Sequence, residues 1–163
     1  MPIPAHLRDY WQAFSASVGG VDDARFFEAC TFGDSQALAD ELAALVLKGV
    51  KRGTAASVGS FEAQGLPLPK PGDLSVMLDG SGAPVGVIET RSIEVLPFKD
   101  VTAAFAAVEG EGDGSLAYWR EAHRAYFTRE ADAAGRTFSE DLLVCCECFD
   151  LVYPHSAGQA AGR

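Results

Sequence analysis

The sequence predicts an α+β domain in which helices flank a small β-barrel or a curled antiparallel sheet. Three observations lead to this prediction. Apolar residues recur at helical spacing near the start of the chain, at strand spacing in the middle, and at helical spacing again before a final β-rich segment. Helices grouped at the start and strands grouped in the middle are typical of α+β proteins rather than of alternating α/β proteins.

Two helices are predicted before the first strands. An apolar stripe runs along residues 7–18, and a glycine pair follows it and ends the helix. The second helix begins at a cap provided by Asp34 or Ser35 and ends just before Gly49, which suits the left-handed conformation after a helix.

The middle and the end of the chain carry the strand signals. Residues 74–79 and 85–95 read as two strands of a β-hairpin, joined by a Gly-Ser-Gly turn. Residues 142–153 are rich in β-favouring side chains and predict a long closing strand. We expect one domain over residues 1–154 and a disordered tail over residues 155–163.

A connection and a long helix separate the hairpin from the closing strand. Residues 98–109 have some helical character, and residues 110–114 form a glycine-rich acidic loop. The longest predicted helix follows over residues 115–134.

Composition limits the function classes. The chain has 163 residues, of which 48% are hydrophobic and 22% charged, as expected of one folded domain. No apolar run approaches the ~18 residues of a membrane span, and the four cysteines lack the spacing of a secreted disulfide framework, so we expect a cytoplasmic protein. The net charge of −10 disfavours extended, sequence-blind RNA binding, because such binding needs many cations against phosphate. The densest basic cluster, Lys48, Lys51 and Arg52, would suit one nucleotide-sized ligand.

The spacing of Lys51 and Thr54 is the most informative local feature. Residues three apart on a strand point to opposite faces, so these two side chains converge only if the chain turns between them. Gly53 makes such a turn inexpensive. The segment therefore predicts a loop that directs an ammonium group and a hydroxyl group at one point.

An ordered set of motifs resembles the activating-signal-cointegrator homology (ASCH) family, in particular its bacterial stand-alone branch. The motifs are G-x-K-x-x-T at 49–54, P-G-D at 71–73, I-E-T at 88–90, Pro97-Phe98 with Asp100-Val101, Gly112-Asp113, Ser115-Leu116, Trp119-Arg120, His123 and E-x-F at 147–149. One departure is Ala56, where we would expect Ser. The resemblance implies a PUA-like small β-barrel with flanking helices.

The resemblance implies three alternative functions. Members are associated with RNA in translation or transcription regulation, one branch resembles a ribonuclease, and another hydrolyses the acetyl amide of acetylcytidine. The last branch uses a Lys, a Thr and a Glu, which would fall on Lys51, Thr54 and Glu89. We expect RNA or a modified nucleoside as the partner, with no cofactor and no metal.

The catalytic interpretation is chemically coherent. A Thr hydroxyl needs a base, and a partly buried Lys can serve if desolvation lowers its pKa, whereas a nearby Glu89 would favour the charged Lys. Glu89 could pass the proton to the leaving amine, and backbone N–H groups near Gly53 and Thr54 could stabilise the oxyanion. For phosphodiester cleavage, Lys51 and Arg52 would bind the phosphate instead.

The remaining candidate ligand contacts are Arg52, Gly53, Trp119 and His123, and each site residue has a structural alternative. Lys51 and Arg52 are equally expected as solvated charges after a helix. Thr54 could simply begin a strand, and Glu89 could pair with Arg91 on one strand face. Trp119 and His123 share an apolar helix stripe, where core packing is the commoner role.

Two further clusters favour no metal site. Glu109, Glu111 and Asp113 lack the spacing of an EF-hand, so we expect a solvated acidic loop. The cysteines at 145, 146 and 148 lack CxxC spacing, and neighbours on a strand point to opposite faces.

Overall fold

A computed structural model describes residues 2–155, which have a mixed α+β fold. Most of the predicted tail, residues 156–163, lies outside the described residues. The helices are α1 (Arg8–Ser17), α2 (Gln36–Leu47), α3 (Val58–Ala63), α4 (Ala103–Glu109) and α5 (Leu116–Ala133). The strands are β1 (Phe26–Cys30), β2 (Gly53–Ser57), β3 (Leu74–Leu78), β4 (Pro84–Pro97) and β5 (Leu143–Tyr153).

The strands form one open five-stranded sheet in the order β1-β3-β4-β5-β2. β1 and β3 are parallel, whereas the other neighbours are antiparallel. β1 and β2 are the two edges and do not pair with each other within residues 2–155, so the α+β prediction is confirmed but the sheet is open and does not close into the predicted small β-barrel. The long β4 and β5 pair over most of their length with register shifts, and such irregularities bend a sheet locally.

Most of the strongly patterned elements were predicted correctly. α1, α2, the β3–β4 hairpin, α5 and β5 all occur close to the predicted positions. The short β1, β2 and α3 were not predicted, and the connection with helical character contains the two-turn helix α4. Short elements carry too few residues for a period to show.

Helices cover the sheet through separate apolar clusters. Trp11 and Phe14 of α1 pack with Phe26 and Leu74, whereas Trp119 and Phe127 of α5 pack in a second cluster. None of the helices within residues 2–155 is both long enough and apolar enough to span a membrane. The arrangement leaves a cavity against the sheet, bordered by residues of α2 and α5.

Candidate functional site

The cavity has a volume of about 410 Å³, within the range typical of small-ligand sites. Its polar lining includes Lys51, Thr54, Glu109, Glu111 and His123. Further polar groups come from β1, β3 and β5, namely Glu28, Ser75 and Glu147. Tyr118, Tyr126 and Arg129 of α5 also contribute to its border.

Lys51 is at the centre of the polar cluster. Its side chain is 1% exposed, and its Nζ donates to Glu111 Oε2 at 2.7 Å and to Glu109 Oε2 at 2.9 Å. The third donor goes to the carbonyl oxygen of Gly53 at 2.6 Å. An ammonium group has three N–H donors, so each one has a partner in this arrangement.

Two backbone segments hold this cluster together. The Arg52 N–H donates to the carbonyl of Val108 at 2.9 Å, which ties the start of β2 to the last turn of α4. Gly110 ends α4 in the left-handed conformation, with φ of 65°. A side chain at Gly110 would collide with the backbone carbonyl of Val50, so the two segments approach closely. This approach brings Glu109 and Glu111 onto Lys51.

Glu109 is further held by α5. Trp119 Nε1 donates to Glu109 Oε1 at 2.8 Å, and His123 Nε2 lies 3.4 Å from the same oxygen. The imidazole of His123 stacks on Trp119, with ring centroids 4.1 Å apart. His123 Nδ1 lies 2.9 Å from the Trp119 carbonyl, which can only accept, so Nδ1 carries a proton. Nε2 facing a carboxylate then favours the doubly protonated imidazolium.

These contacts set the charge states. Burial opposes charge on Lys51 and His123, yet the carboxyl groups of Glu109 and Glu111 together outweigh it and raise the pKa of both groups. Burial likewise opposes ionisation of Glu109, but Lys51 and His123 keep its pKa below the ordinary value. Burial and the adjacent Glu109 raise the pKa of Glu111 to about 7. The cluster therefore carries two cations, one firmly ionised carboxylate and one carboxyl group that titrates near neutrality.

The same residues include a possible metal-ligand set. Glu109, Glu111 and His123 present ligand atoms that all lie within 4.8 Å of one another. The Lys51 ammonium already donates to both carboxylates, so a divalent cation would have to displace it. The donor set therefore fits the ammonium group better than it fits an added cation.

Thr54 lies next to a second carboxyl group. It is directly opposite Glu147 in the antiparallel pairing of β2 with β5, so the two side chains share a face. The hydroxyl of Thr54 has no hydrogen-bond partner among residues 2–155. Glu147 Oε2 accepts from the buried Thr90 hydroxyl at 2.6 Å, and burial raises the pKa of Glu147. A free hydroxyl group thus faces the cavity beside an acidic group.

The structure brings only some of the sequence-predicted site residues together. Lys51, Thr54 and His123 line the cavity. Gly53 supplies a carbonyl to Lys51, and β2 begins there, so the chain turns before Gly53 rather than at it. Trp119 is buried and does not line the cavity, but its indole N–H donates a hydrogen bond to Glu109.

Glu89 and Arg52 lie elsewhere. Glu89 Oε2 pairs with Arg91 at 2.9 Å and with Arg25 at 3.5 Å, and Glu89 is not among the cavity-lining residues. The structural alternative of a same-strand ion pair with Arg91 is the arrangement observed. Arg52 is exposed and also stands apart from the cavity lining.

Sequence reasoning missed Glu109 and Glu111 as partners of Lys51. The prediction of a solvated acidic loop is wrong for Glu109, which is 1% exposed. A signal was present, because Glu109 lies on the same helix face as the buried Phe105 and Ala106. A carboxylate on a buried helix face needs a cationic partner, and Lys51, for which the sequence assigned no ion-pair partner, was the candidate.

Comparison with known proteins gives the family. The family model of the ASCH domain matches residues 28–153. The chain belongs to the ASCH domain family. An ASCH domain from Lactobacillus crispatus JV V101 is 33% identical, with a TM-score of 0.82 over 93% of this chain and 96% of that chain. A protein from Enterococcus faecalis V583 is 29% identical, with a TM-score of 0.79 over 90% of each chain. No curated protein matches this ASCH domain.

Proposed function

We propose that this ASCH domain hydrolyses an amide of an acylated pyrimidine nucleoside. One observation carries the proposal: a buried ammonium group, Lys51, and two carboxyl groups, Glu109 and Glu111, border a cavity that a free hydroxyl, Thr54, also lines. The volume of about 410 Å³ suits a nucleoside-sized ligand. The assignment follows the catalytic trio of Lys, Thr and Glu that the family resemblance implies, with the carboxyl role moved from Glu89 to Glu111.

The charge states favour a division of roles. Because its pKa is raised and its three N–H donors are occupied, Lys51 is not the base; it acts as a fixed cation whose charge favours the oxyanion without a direct hydrogen bond. Glu111 lines the same cavity as Thr54 and has a pKa of about 7, so we assign it as the general base. Glu109 stays ionised and acts as a positioning residue for Lys51 and His123.

The reaction then has two steps. Glu111 takes the proton of the Thr54 hydroxyl while the Thr54 oxygen bonds to the amide carbonyl carbon. Negative charge then develops on the carbonyl oxygen, in the field of the Lys51 ammonium group. The carbon–nitrogen bond breaks, and the amine leaves with the proton from Glu111. Water hydrolyses the resulting Thr54 ester by the reverse proton path, releasing the carboxylic acid and restoring the hydroxyl.

Two features favour this reaction over the alternatives. A ribonuclease needs cations free to hold a phosphate, but Lys51 is already bound to carboxylates and Arg52 lies outside the cavity lining. An extended RNA-binding surface is disfavoured by the net charge of −10. A small neutral ligand suits the cavity better.

Release of acetate and cytidine from acetylcytidine by the purified protein tests the proposal. Thr54→Ser should retain turnover, whereas Thr54→Ala should reduce it by about 10²-fold or more. Glu121→Gln, on the exposed face of α5, is the matched control for Glu111→Gln. Absence of turnover in the wild-type protein, or turnover by Thr54→Ala at the wild-type rate, would contradict the proposal.

A further inference from the structure

A row of polar side chains crosses the sheet beside the proposed catalytic cluster. Glu28 on β1 is directly opposite Ser75 on β3, and Glu147 on β5 is directly opposite Thr54 on β2. Thr90 on β4 joins the row through its hydrogen bond to Glu147. Paired residues share a face of a sheet, and four of the five line the cavity, Thr90 being the exception. The row runs away from Thr54 toward the β1 edge.

Two members of this row lack a partner. Ser75 is 6% exposed, yet its hydroxyl makes no hydrogen bond within residues 2–155. The carboxyl group of Glu28 is also without a hydrogen bond or ion pair within that part of the chain. Both groups border the cavity and remain accessible to solvent there, so their hydrogen-bonding capacity is available to a ligand.

The row differs in charge from the Lys51 cluster. Burial and the nearby Glu147 raise the pKa of Glu28 to about 7, and burial raises that of Glu147. Within residues 2–155, no cation is hydrogen-bonded to either carboxyl group, and neither belongs to a candidate metal-ligand group. A neutral carboxyl group offers a donor and an acceptor side by side.

The surroundings indicate which part of a ligand lies here. Cys30, Phe61 and Ile88 line the same part of the cavity and are largely apolar. Tyr118 and Arg129 have solvent-exposed side chains, so they lie at the solvent-accessible border of the cavity. A flat heterocycle suits the apolar end, and a hydroxyl-rich sugar suits the border.

We propose that Glu28 and Ser75 form a base-reading subsite that binds the donor–acceptor edge of an aminopyrimidine, with the sugar directed toward Tyr118 and Arg129. The inference rests on the proposed function, since it assigns the specificity of the same cavity. Because the row runs away from Thr54, Glu147 faces the exocyclic nitrogen, Ser75 donates to the ring nitrogen, and neutral Glu28 donates to the ring carbonyl.

Binding of cytidine and of 2′-deoxycytidine, measured by calorimetry, tests this subsite without any need for turnover. Glu28→Ala should weaken both ligands alike by about tenfold, and Ser75→Ala by a smaller factor. Glu28→Gln should bind nearly as the wild type does, because a neutral amide also donates a hydrogen bond to the ring carbonyl. Glu62→Gln, an exposed substitution on α3, is the control and should change nothing.

Each other outcome overturns the inference. If Glu28→Ala weakened the binding of cytidine but not of 2′-deoxycytidine, the row would contact the ribose rather than the base. If Glu28→Gln and Glu28→Ala lost equal affinity, Glu28 would act as a charged carboxylate that binds a cation. Undetectable binding of either ligand by the wild type would also reject it. The two proposals fail independently. If the protein releases no acetate but still binds cytidine in a Glu28-dependent way, the hydrolase proposal is rejected and the subsite is retained.

Discussion

Lys51 Nζ lies 2.9 Å from Glu109 Oε2, and both side chains are 1% exposed although 58 positions separate them in the sequence. A buried ion pair is by itself weak evidence for stability, because desolvation can exceed the attraction. Here Glu111 adds a second carboxyl group to the same ammonium, and its pKa of about 7 allows it to gain or lose a proton near neutrality. The additional carboxyl group is what a proton-transfer site requires.

Replacement of Lys51 should destabilise the protein strongly. Lys51→Met leaves Glu109 buried with its main counter-ion removed, and the expected loss is about 3–5 kcal/mol of unfolding free energy. Urea unfolding measures this loss. The exposed Lys48→Met is the matched control and should cost less than about 1 kcal/mol.

A double-mutant cycle separates the pair from its surroundings. Lys51→Met combined with Glu109→Gln should recover part of the stability lost by Lys51→Met alone, because no uncompensated charge remains. Additive losses would show that the two side chains are not energetically coupled, against the geometry described above.

Hydrolysis should depend on pH through Glu111. The general base must be ionised, so kcat/KM should rise with pH through an apparent pKa of about 7, and ionisation of Glu28 should lower kcat/KM on the alkaline side. Glu111→Gln should remove the rise on the acidic side and lower kcat/KM by about 10²-fold or more. A pH profile of acetate release for the wild type, Glu111→Gln and Glu121→Gln decides the point. A rise that persists in Glu111→Gln would assign the base to another group.

Stability should fall as pH rises from about 5 to 8. The pKa of Glu28 is raised to about 7 in the folded state, so the folded protein binds more protons than the unfolded chain over this interval. The stabilisation is therefore complete below the unfolded pKa and is lost as pH passes the folded pKa. Glu111, Glu147 and His123 also have raised pKa values and act in the same direction.

Chemical denaturation at pH 5.5 and at pH 8 measures this slope. Glu28→Gln should make the slope shallower, because the amide does not titrate, whereas the exposed Glu121→Gln should leave it unchanged. An equal slope in wild type and Glu28→Gln would show that Glu28 titrates normally in the folded protein.

The sequence predicts the long elements and three of the cavity-lining site residues, Lys51, Thr54 and His123, and the reasons for the failures are physical. α5 and β5 carry enough residues for their periods to show, whereas β1 and β2 have five residues each and depend on neighbours for their pairing. Glu89 has a suitable residue type, yet Arg25 and Arg91 hold its side chain. The pairing of Lys51 with Glu109 depends on the tertiary contact between β2 and α4, which spacing along the chain does not reveal.

Gly110 should be essential for this contact, and a comparison of glycines tests that idea. Gly110 and Gly114 both have positive φ, so an Ala at either position incurs the left-handed backbone penalty of about 1–2 kcal/mol. A side chain at Gly110 would also collide with the Val50 backbone, whereas Gly114 has open space around it. Gly110→Ala should therefore cost clearly more stability than Gly114→Ala in urea unfolding. It should also lower acetate release beyond the loss of folded protein, because the displaced segment carries Glu109 and Glu111 away from Lys51. Equal effects of the two substitutions would show that the close approach of Gly110 to Val50 does not position the carboxyl groups.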